Sequence, residues 1–398
     1  MKIWTYLLII PERFQTEYVD TGLVDVSDHD EFPLRMLSYG RECVHGEGRW
    51  DAVTTKCRGI IYRTDTEEII ARPFEKFFNL HTMGMPSTDP ETWYGNDGEC
   101  GEESFYLTQP EVWEKMDGFL ATLYEWEGKQ YIASKGSFDS PHAKWATAWL
   151  NARGTFKYPA GYTPVFEGIS PNFRIVVNYE KFEGLVLLAL VNNETGEELN
   201  KVSLQTWATK TKFRLPTYFK ITWEQAAEES NDEEVKNFEG YVLCWRRPGT
   251  TPFRLKVKYV DYLRLHRMIA TVSPKAIFKC LSEGTRDDLQ EWLNESTPWF
   301  NRYVAKWVRA LEYRFKEIDD RAKNMYDALV AICKEDVRCY NRLWTRKDWA
   351  LRFLAEGNKD ISAVLFAALD GKDTDKVIWK MCKPMIHNSH PMVDLNRL

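Results

Sequence analysis

The sequence predicts an α+β domain over residues 1–262, built of antiparallel sheets with flanking helices, and an all-helical domain over residues 263–398. Three observations predict it. The chain has 398 residues, beyond the size at which one hydrophobic core stops growing, so length favours two domains. Up to about residue 260, β-branched and aromatic runs end in turn residues, as strands do. From Asp261 onward, apolar residues recur at helical spacing between Gly and Pro stops.

Taken in order, the opening MKIWTYLLIIPERF has a short apolar stretch behind a single Lys, with no small-residue cleavage pattern after it. It reads as a buried first strand rather than a signal peptide. Phe119–Trp126, then Glu127-Gly128-Lys129, then the run from Gln130 give a hairpin signal. The runs Arg174–Tyr179 and Leu185–Leu199 read as further strands. Helical spacing then occupies 262–272, 274–284, the long stretch 298–336, 348–357 and 360–371. Internal repeats and low-complexity segments are absent from the sequence.

Composition limits the function. Hydrophobic residues are 44% and aromatics 14% of the chain, enough for sizeable cores, yet no apolar run approaches the ~20 residues a membrane helix needs. Eight cysteines without a CxxC pair fit reduced thiols and a cytoplasmic protein. The net charge of −6 disfavours nucleic-acid binding by the chain as a whole, but Arg264–Leu398 holds 24 basic and 19 acidic residues, a net +5, which leaves −11 for the rest. That asymmetry points towards polyanion binding by the last third, although mixed charge on a solvated helix face gives similar numbers.

The sharpest motif is Lys115-Met116-Asp117-Gly118. KxDG is the nucleophile motif of covalent nucleotidyltransferases, but average residue usage would produce it in a random chain of this length roughly one time in ten. By itself it reads as a surface turn. Here it has ordered company: Ser134-Lys135-Gly136-Ser137, Phe166-Glu167-Gly168, Arg174–Tyr179, Phe238-Glu239-Gly240-Tyr241-Val242 and Leu255-Lys256-Val257-Lys258. Before it stand Lys56-Cys57-Arg58-Gly59-Ile60 and Ala71–Leu80, which reads ARPFEKFFNL.

With these motifs the sequence resembles the ATP-dependent RNA ligases of the bacteriophage tRNA-repair type, the RNA ligase 1 family. Ser282–Leu289 resembles the start of that family's helical C-terminal domain. The resemblance implies an N-terminal nucleotidyltransferase (adenylyltransferase) domain, ATP and Mg²⁺ as cofactors with Mn²⁺ as an alternative, and an RNA partner with 5′-phosphate and 3′-hydroxyl ends, such as a cleaved tRNA. It implies that Lys115 forms a lysyl-adenylate, that Glu167 contacts the ribose, that Glu239 serves the metal or phosphates, that Lys256 and Lys258 hold phosphates, and that Val242 lines the adenine pocket. Arg58, Lys76 and Lys135 supply further cations, and Phe78 follows Lys76. Tyr39 resembles the family's phosphate-contacting tyrosine, the Glu114 backbone falls where the adenine edge is read, Tyr262 matches a tyrosine after the last lysine motif, and Asp287 aligns with an acidic metal ligand. Gly168 stands where an aromatic often follows the Glu, which predicts looser packing around the ribose.

The chemistry agrees. A lysine amine attacks only when neutral, and an ordinary Lys, pKa about 10.4, is charged at neutral pH. Lys256 and Lys258 are two apart, so on a strand they share a face and can both hold phosphate and depress the Lys115 pKa. Each residue also has a plainer reading: alternating lysines are usually a solvated strand face, single Glu residues surface carboxylates, and Asp287 a helix N-cap. Cys382, His387 and His390 lack two further well-spaced ligands for a zinc set. The tryptophans at 292, 299, 307, 344, 349 and 379 read as helix packing rather than base-stacking platforms. Two rival functions remain: a catalytically inactive RNA-binding protein with the same fold, and a DNA ligase or capping enzyme. The last two follow the final lysine motif with a β-barrel, where this chain turns helical.

Overall fold

In the computed structural model the chain forms two compact units, Met1–Arg264 and Leu265–Leu398. The structure describes residues 1–45, 50–80, 109–246, 248–287, 289–290, 298–355 and 357–384. His387, His390 and Trp292, and the side chain of Trp299, lie outside the described residues.

The expected first strand is a helix, Ile3–Leu7. Its apolar residues Ile3, Tyr6 and Leu7 fall at i, i+3 and i+4 and are the buried ones, a helical stripe that the unbroken apolar run concealed. They pack with Phe14, Val24, Leu37 and Ile60 against the first sheet. That sheet is an antiparallel meander of β1 (Val24–Asp28), β2 (Leu34–Tyr39), β3 (Arg58–Arg63) and β4 (Ile69–Ala71).

The other two sheets of the first unit form the walls of the site. The remaining strands are β5 (Phe78–Asn79), β6 (Glu111–Glu114), β7 (Phe119–Trp126), β8 (Lys129–Ala133), β9 (Tyr162–Ile169), β10 (Gly184–Asn192), β11 (Tyr218–Phe219), β12 (Gly240–Trp245) and β13 (Phe253–Lys258). One sheet has the order β10-β9-β7-β8 and the other β11-β6-β12-β13-β5. All pairs are antiparallel except β13 with β5, a short parallel contact placing Lys256 opposite Asn79. The β7–β8 hairpin turns on Glu127 and Gly128 at φ 49° and 76°, the left-handed pair that a two-residue hairpin loop requires. Helices Pro141–Asn151 and Lys201–Thr211 cover β7, β9 and β10, burying Ala146, Leu150, Leu204, Phe166 and Leu187 in one cluster.

Arg174–Tyr179, expected as a strand, is irregular. Its β-branched residues do face inward, with Val176 and Val177 buried, but their N–H groups donate to the Asp117 carboxylate at 2.8 and 2.7 Å instead of to a neighbouring strand. A buried carboxylate took the donors that a sheet ladder would have used.

The elements of the second unit among its described residues are helices, including Pro274–Glu283, Pro298–Tyr340, Arg346–Phe353, Ser362–Leu369 and Thr374–Met381. Its core holds Ala322, Leu329, Phe353, Ile361, Leu365 and Ile378, with Trp344, Trp349 and Trp379 packed against it. Trp307 is buried as well, so these tryptophans pack helices as expected. No helix among the described residues is long and apolar enough to cross a membrane. None of the seven described cysteines is joined to another in a disulfide.

Candidate active site

Lys115 sits where β6 ends, its backbone N–H held by the Gly240 carbonyl at 2.8 Å. Antiparallel pairing sets Tyr241 opposite Glu114 and Lys258 opposite Gly240, which brings three distant motifs to one corner of the sheet. There the Glu239 carboxylate bridges two lysines: Oε2 lies 3.0 Å from Lys115 Nζ and Oε1 2.9 Å from Lys258 Nζ. Lys256 and Lys258 lie on the same face of β13, each partly exposed on either side of buried Val257.

Asp117 is the organiser of the corner. It is buried, accepts from Val176, Val177 and the Tyr262 hydroxyl (2.8 Å), and its own N–H donates to the Tyr179 hydroxyl at 2.7 Å. Gly118 donates its N–H to Glu167 Oε1 at 3.0 Å. A Cβ on Gly118 would come within 2.3 Å of the Gly168 carbonyl, so β7 and β9 can approach this closely only over a glycine. Gly118→Ala should therefore separate the strands at Glu167 and destabilise the first unit by about 1–3 kcal/mol, read as a lower denaturant midpoint; an unchanged midpoint would contradict the close approach. Gly168 does not loosen the packing, contrary to expectation. The Phe119 ring fills the space, with its Cζ 2.2 Å from where a Cβ on residue 168 would stand.

A cavity of about 370 Å³ opens beside Lys115, lined among others by Arg58, Lys135, Glu167, Val242, Arg246 and Arg254. Lys135 stacks its ammonium on the Tyr39 ring at 3.9 Å, and Lys76 lies 5.2–5.6 Å from the rings of Tyr39, Trp50 and Phe78. Arg58 Nη1 is buried and has no hydrogen-bond partner among the described residues. An orphaned guanidinium donor in a cationic cavity suits an anionic oxygen.

The cations fall into two electrostatic classes. Burial, reinforced by Lys76, Lys258 and Lys115, pushes Lys256 down to about 6, and burial with Arg58 and Lys135 pushes Lys76 down to about 8. The expected depression of Lys115 does not occur in the free protein. Burial is the largest single influence and lowers its pKa, but Glu239, Glu167 and Asp117 together raise it above the ordinary value. Burial lifts Glu167 to about 7 against the pull of Lys115.

The other expected residues are placed as follows. Val242 lines the cavity from β12, and Phe78 lies in β5 with its ring edge-on to Trp50. Glu114 lines the cavity too, but its N–H is taken by the Thr217 carbonyl at 2.8 Å and its carboxylate accepts from Thr217. Lys258 lies over the Tyr262 ring at 4.7 Å. Asp287 belongs to the second unit, where it is exposed. Among the described residues no group of three or more His, Cys, Asp and Glu gathers as a metal site.

Sequence reasoning missed Arg254 and Arg246. Buried Glu198 pairs with Arg254 and, at 3.4 Å, with Arg246, which also pairs with Glu111 at 3.0 Å. The signal was the spacing Arg254, Lys256, Lys258, which extends the one-faced cation row by one position.

The site is thus a lysine bridged by a carboxylate to a second lysine, beside a cavity lined by Arg58, Lys135, Arg246 and Arg254. The family described as RNA ligase matches residues 56–262, more than half of the chain, and the chain belongs to it. A putative RNA ligase of Thermovibrio ammonificans is 30% identical over 242 residues, covering 58% of this chain and 59% of that protein, so the match spans under two thirds of that relative. The RNA ligase of Rhodothermus phage RM378 is 25% identical over 370 residues, covering 80% of this chain and 81% of that protein. Among solved structures, an archaeal ATP-dependent RNA ligase matches with a TM-score of 0.46 at 14% identity, covering 82% of this chain and 81% of that one.

Proposed function

We propose that this protein is an ATP-dependent RNA ligase that joins a 5′-phosphate to a 3′-hydroxyl through an adenylate carried on Lys115. The observation that carries the reading is the buried Glu239 carboxylate shared by Lys258 and by Lys115, which lines the cationic cavity, together with membership of the RNA ligase family.

In the first step the Lys115 amine attacks the α-phosphorus of ATP, the N–P bond forms, the bond to pyrophosphate breaks, and the lysine proton must leave. In the free protein Glu239 holds that proton in place, so ATP binding has to draw the carboxylate away from Lys115. Lys256 and the Arg58 donor then face the triphosphate, whose negative charge draws a proton back onto Lys256, and their positive charge stabilises the oxygens that gain negative charge. In the second step a 5′-phosphate oxygen of RNA attacks the adenylate phosphorus and Lys115 recovers its proton. In the third the 3′-hydroxyl attacks the activated phosphate and AMP leaves.

Glu239 and Glu167 are the oxygen donors that suit Mg²⁺, an ion held by one or two carboxylates plus substrate phosphates and water. Once bound, such an ion supplies positive charge that favours neutral Lys115 and stabilises the phosphates. The net positive charge of Arg264–Leu398 suits an RNA backbone, and within this reading the resemblance to the tRNA-repair ligases points to a cleaved tRNA in an infected cytoplasm.

The test is incubation with labelled ATP and Mg²⁺, denaturation and peptide mapping. The expected result is AMP on the peptide containing Lys115, through an acid-labile phosphoramidate. Label on another residue, or preferential labelling by GTP, would contradict the reading.

A further inference from the structure

A second cavity of about 350 Å³ lies in the first unit, lined among others by Trp50, Lys76, Phe77, Phe78, Phe253 and Arg254. It shares Phe74, Phe77 and Arg254 with the cavity beside Lys115, so these three residues form a common wall. Its make-up is unlike that of the first. Five aromatic rings and Pro252 face it, and its acidic members are engaged elsewhere. Asp51 caps the helix Ala52–Lys56 and accepts from the Tyr18 hydroxyl at 2.9 Å, while Glu75 accepts from the Tyr6 hydroxyl at 2.9 Å and pairs with Arg72 at 3.6 Å. Lys76, by contrast, rests among the rings of Tyr39, Trp50 and Phe78 and has no carboxylate partner among the described residues. Burial and the surrounding cations Arg58, Lys135, Lys258 and Lys115 disfavour its charge, so the local field seeks an anion.

We infer that this second cavity is a stacking subsite for one terminal nucleotide of the RNA being sealed, with the base against Trp50 and Phe253 and its phosphate on Lys76. The inference rests on the RNA ligase reading. Aromatic faces beside a cation are how proteins hold single-stranded RNA ends, because every base has a π-face and every nucleotide a phosphate. The shared wall puts such a nucleotide next to the adenylate that its end must meet, whereas a second ATP would have no reaction to enter there.

The experiment compares KM for RNA in sealing by the wild type, Trp50→Ala and Trp50→Phe, using RNA whose terminal nucleotide at either end is intact or abasic. An abasic residue at one end should raise the wild-type KM about 10-fold. Trp50→Ala should raise KM about as much on intact RNA, add almost nothing on that abasic RNA, and be largely rescued in Trp50→Phe. Independent, multiplying losses would mean that Trp50 does not meet the base, as would insensitivity to an abasic residue at either end. The KM for ATP in self-adenylation is measured alongside; a rise equal to that for RNA would assign Trp50 to the nucleotide cavity and overturn the subsite. A wild type that takes no label from ATP defeats the ligase reading itself, whereas a wild type that seals RNA with a Trp50→Ala protein identical to it defeats this inference alone.

Discussion

A Lys256→Met protein should be more stable than the wild type and nearly inactive. Methionine keeps most of the side-chain length and removes the amine that a bound phosphate would protonate. Burial, with Lys76 and Lys258 nearby, holds Lys256 at about 6 in the folded protein, far below the value of a free lysine. Between about pH 6 and pH 10 the unfolded chain therefore binds more protons at this residue than the folded one, and the wild type is destabilised by that difference. The penalty is greatest below pH 6 and fades as pH rises towards 10. Relieving it should add on the order of 3 kcal/mol at pH 7 and under about 1.5 kcal/mol at pH 9.5, measured by urea unfolding at the two pH values. Self-adenylation should meanwhile fall by about 10² to 10³, the usual loss when one fixed contact to a developing oxyanion is removed. A variant with wild-type rate and wild-type stability would make Lys256 a solvated surface lysine.

Glu239→Gln should also slow self-adenylation, by about 10² or more, and should move its pH dependence in a diagnostic direction. In the wild type, burial lowers the Lys115 pKa, but Glu239, Glu167 and Asp117 outweigh it and keep the amine protonated. Removing the Glu239 charge removes the largest of the influences that raise the Lys115 pKa. Lys115 then loses its proton at lower pH, so the rising limb of the single-turnover rate against pH should shift towards acid in the variant. Glu239→Asp, which retains the charge, should leave the limb closer to that of the wild type. A shift towards alkali in Glu239→Gln would mean that the carboxylate is not what holds the proton.

Several motif residues converge because each sits on or beside a strand whose place is set by buried neighbours: Lys256 and Lys258 by Leu255 and Val257, Glu167 by Val165 and Phe166. What the sequence concealed was pairing. Nothing in Phe238-Glu239-Gly240 announces that one carboxylate will bind both Lys115 and Lys258, and that sharing reverses the direction expected for the Lys115 pKa. Arg174–Tyr179 has strand composition, but the acceptor for its N–H groups lies about 60 residues upstream, beyond any local reading. The first helix was hidden because an unbroken apolar run fits either periodicity. Trp50 and Arg246 had no motif around them and became visible only as walls of the two cavities, whereas Arg254 could have been found from its place in the Arg254, Lys256, Lys258 row.

Asp117 carries a consequence for the order in which the molecule assembles. Its carboxylate accepts from residues 59, 60 and 145 positions later in the chain, Val176, Val177 and Tyr262. Contacts of such long sequence separation form late, because the loop between the partners must first be closed. During synthesis from the N-terminus, the nucleophile motif waits unsupported until the whole of the first unit has emerged, and the last of its three donors arrives only with Tyr262. A growing chain therefore lacks the complete hydrogen-bonded corner around Asp117 until Tyr262 has been made.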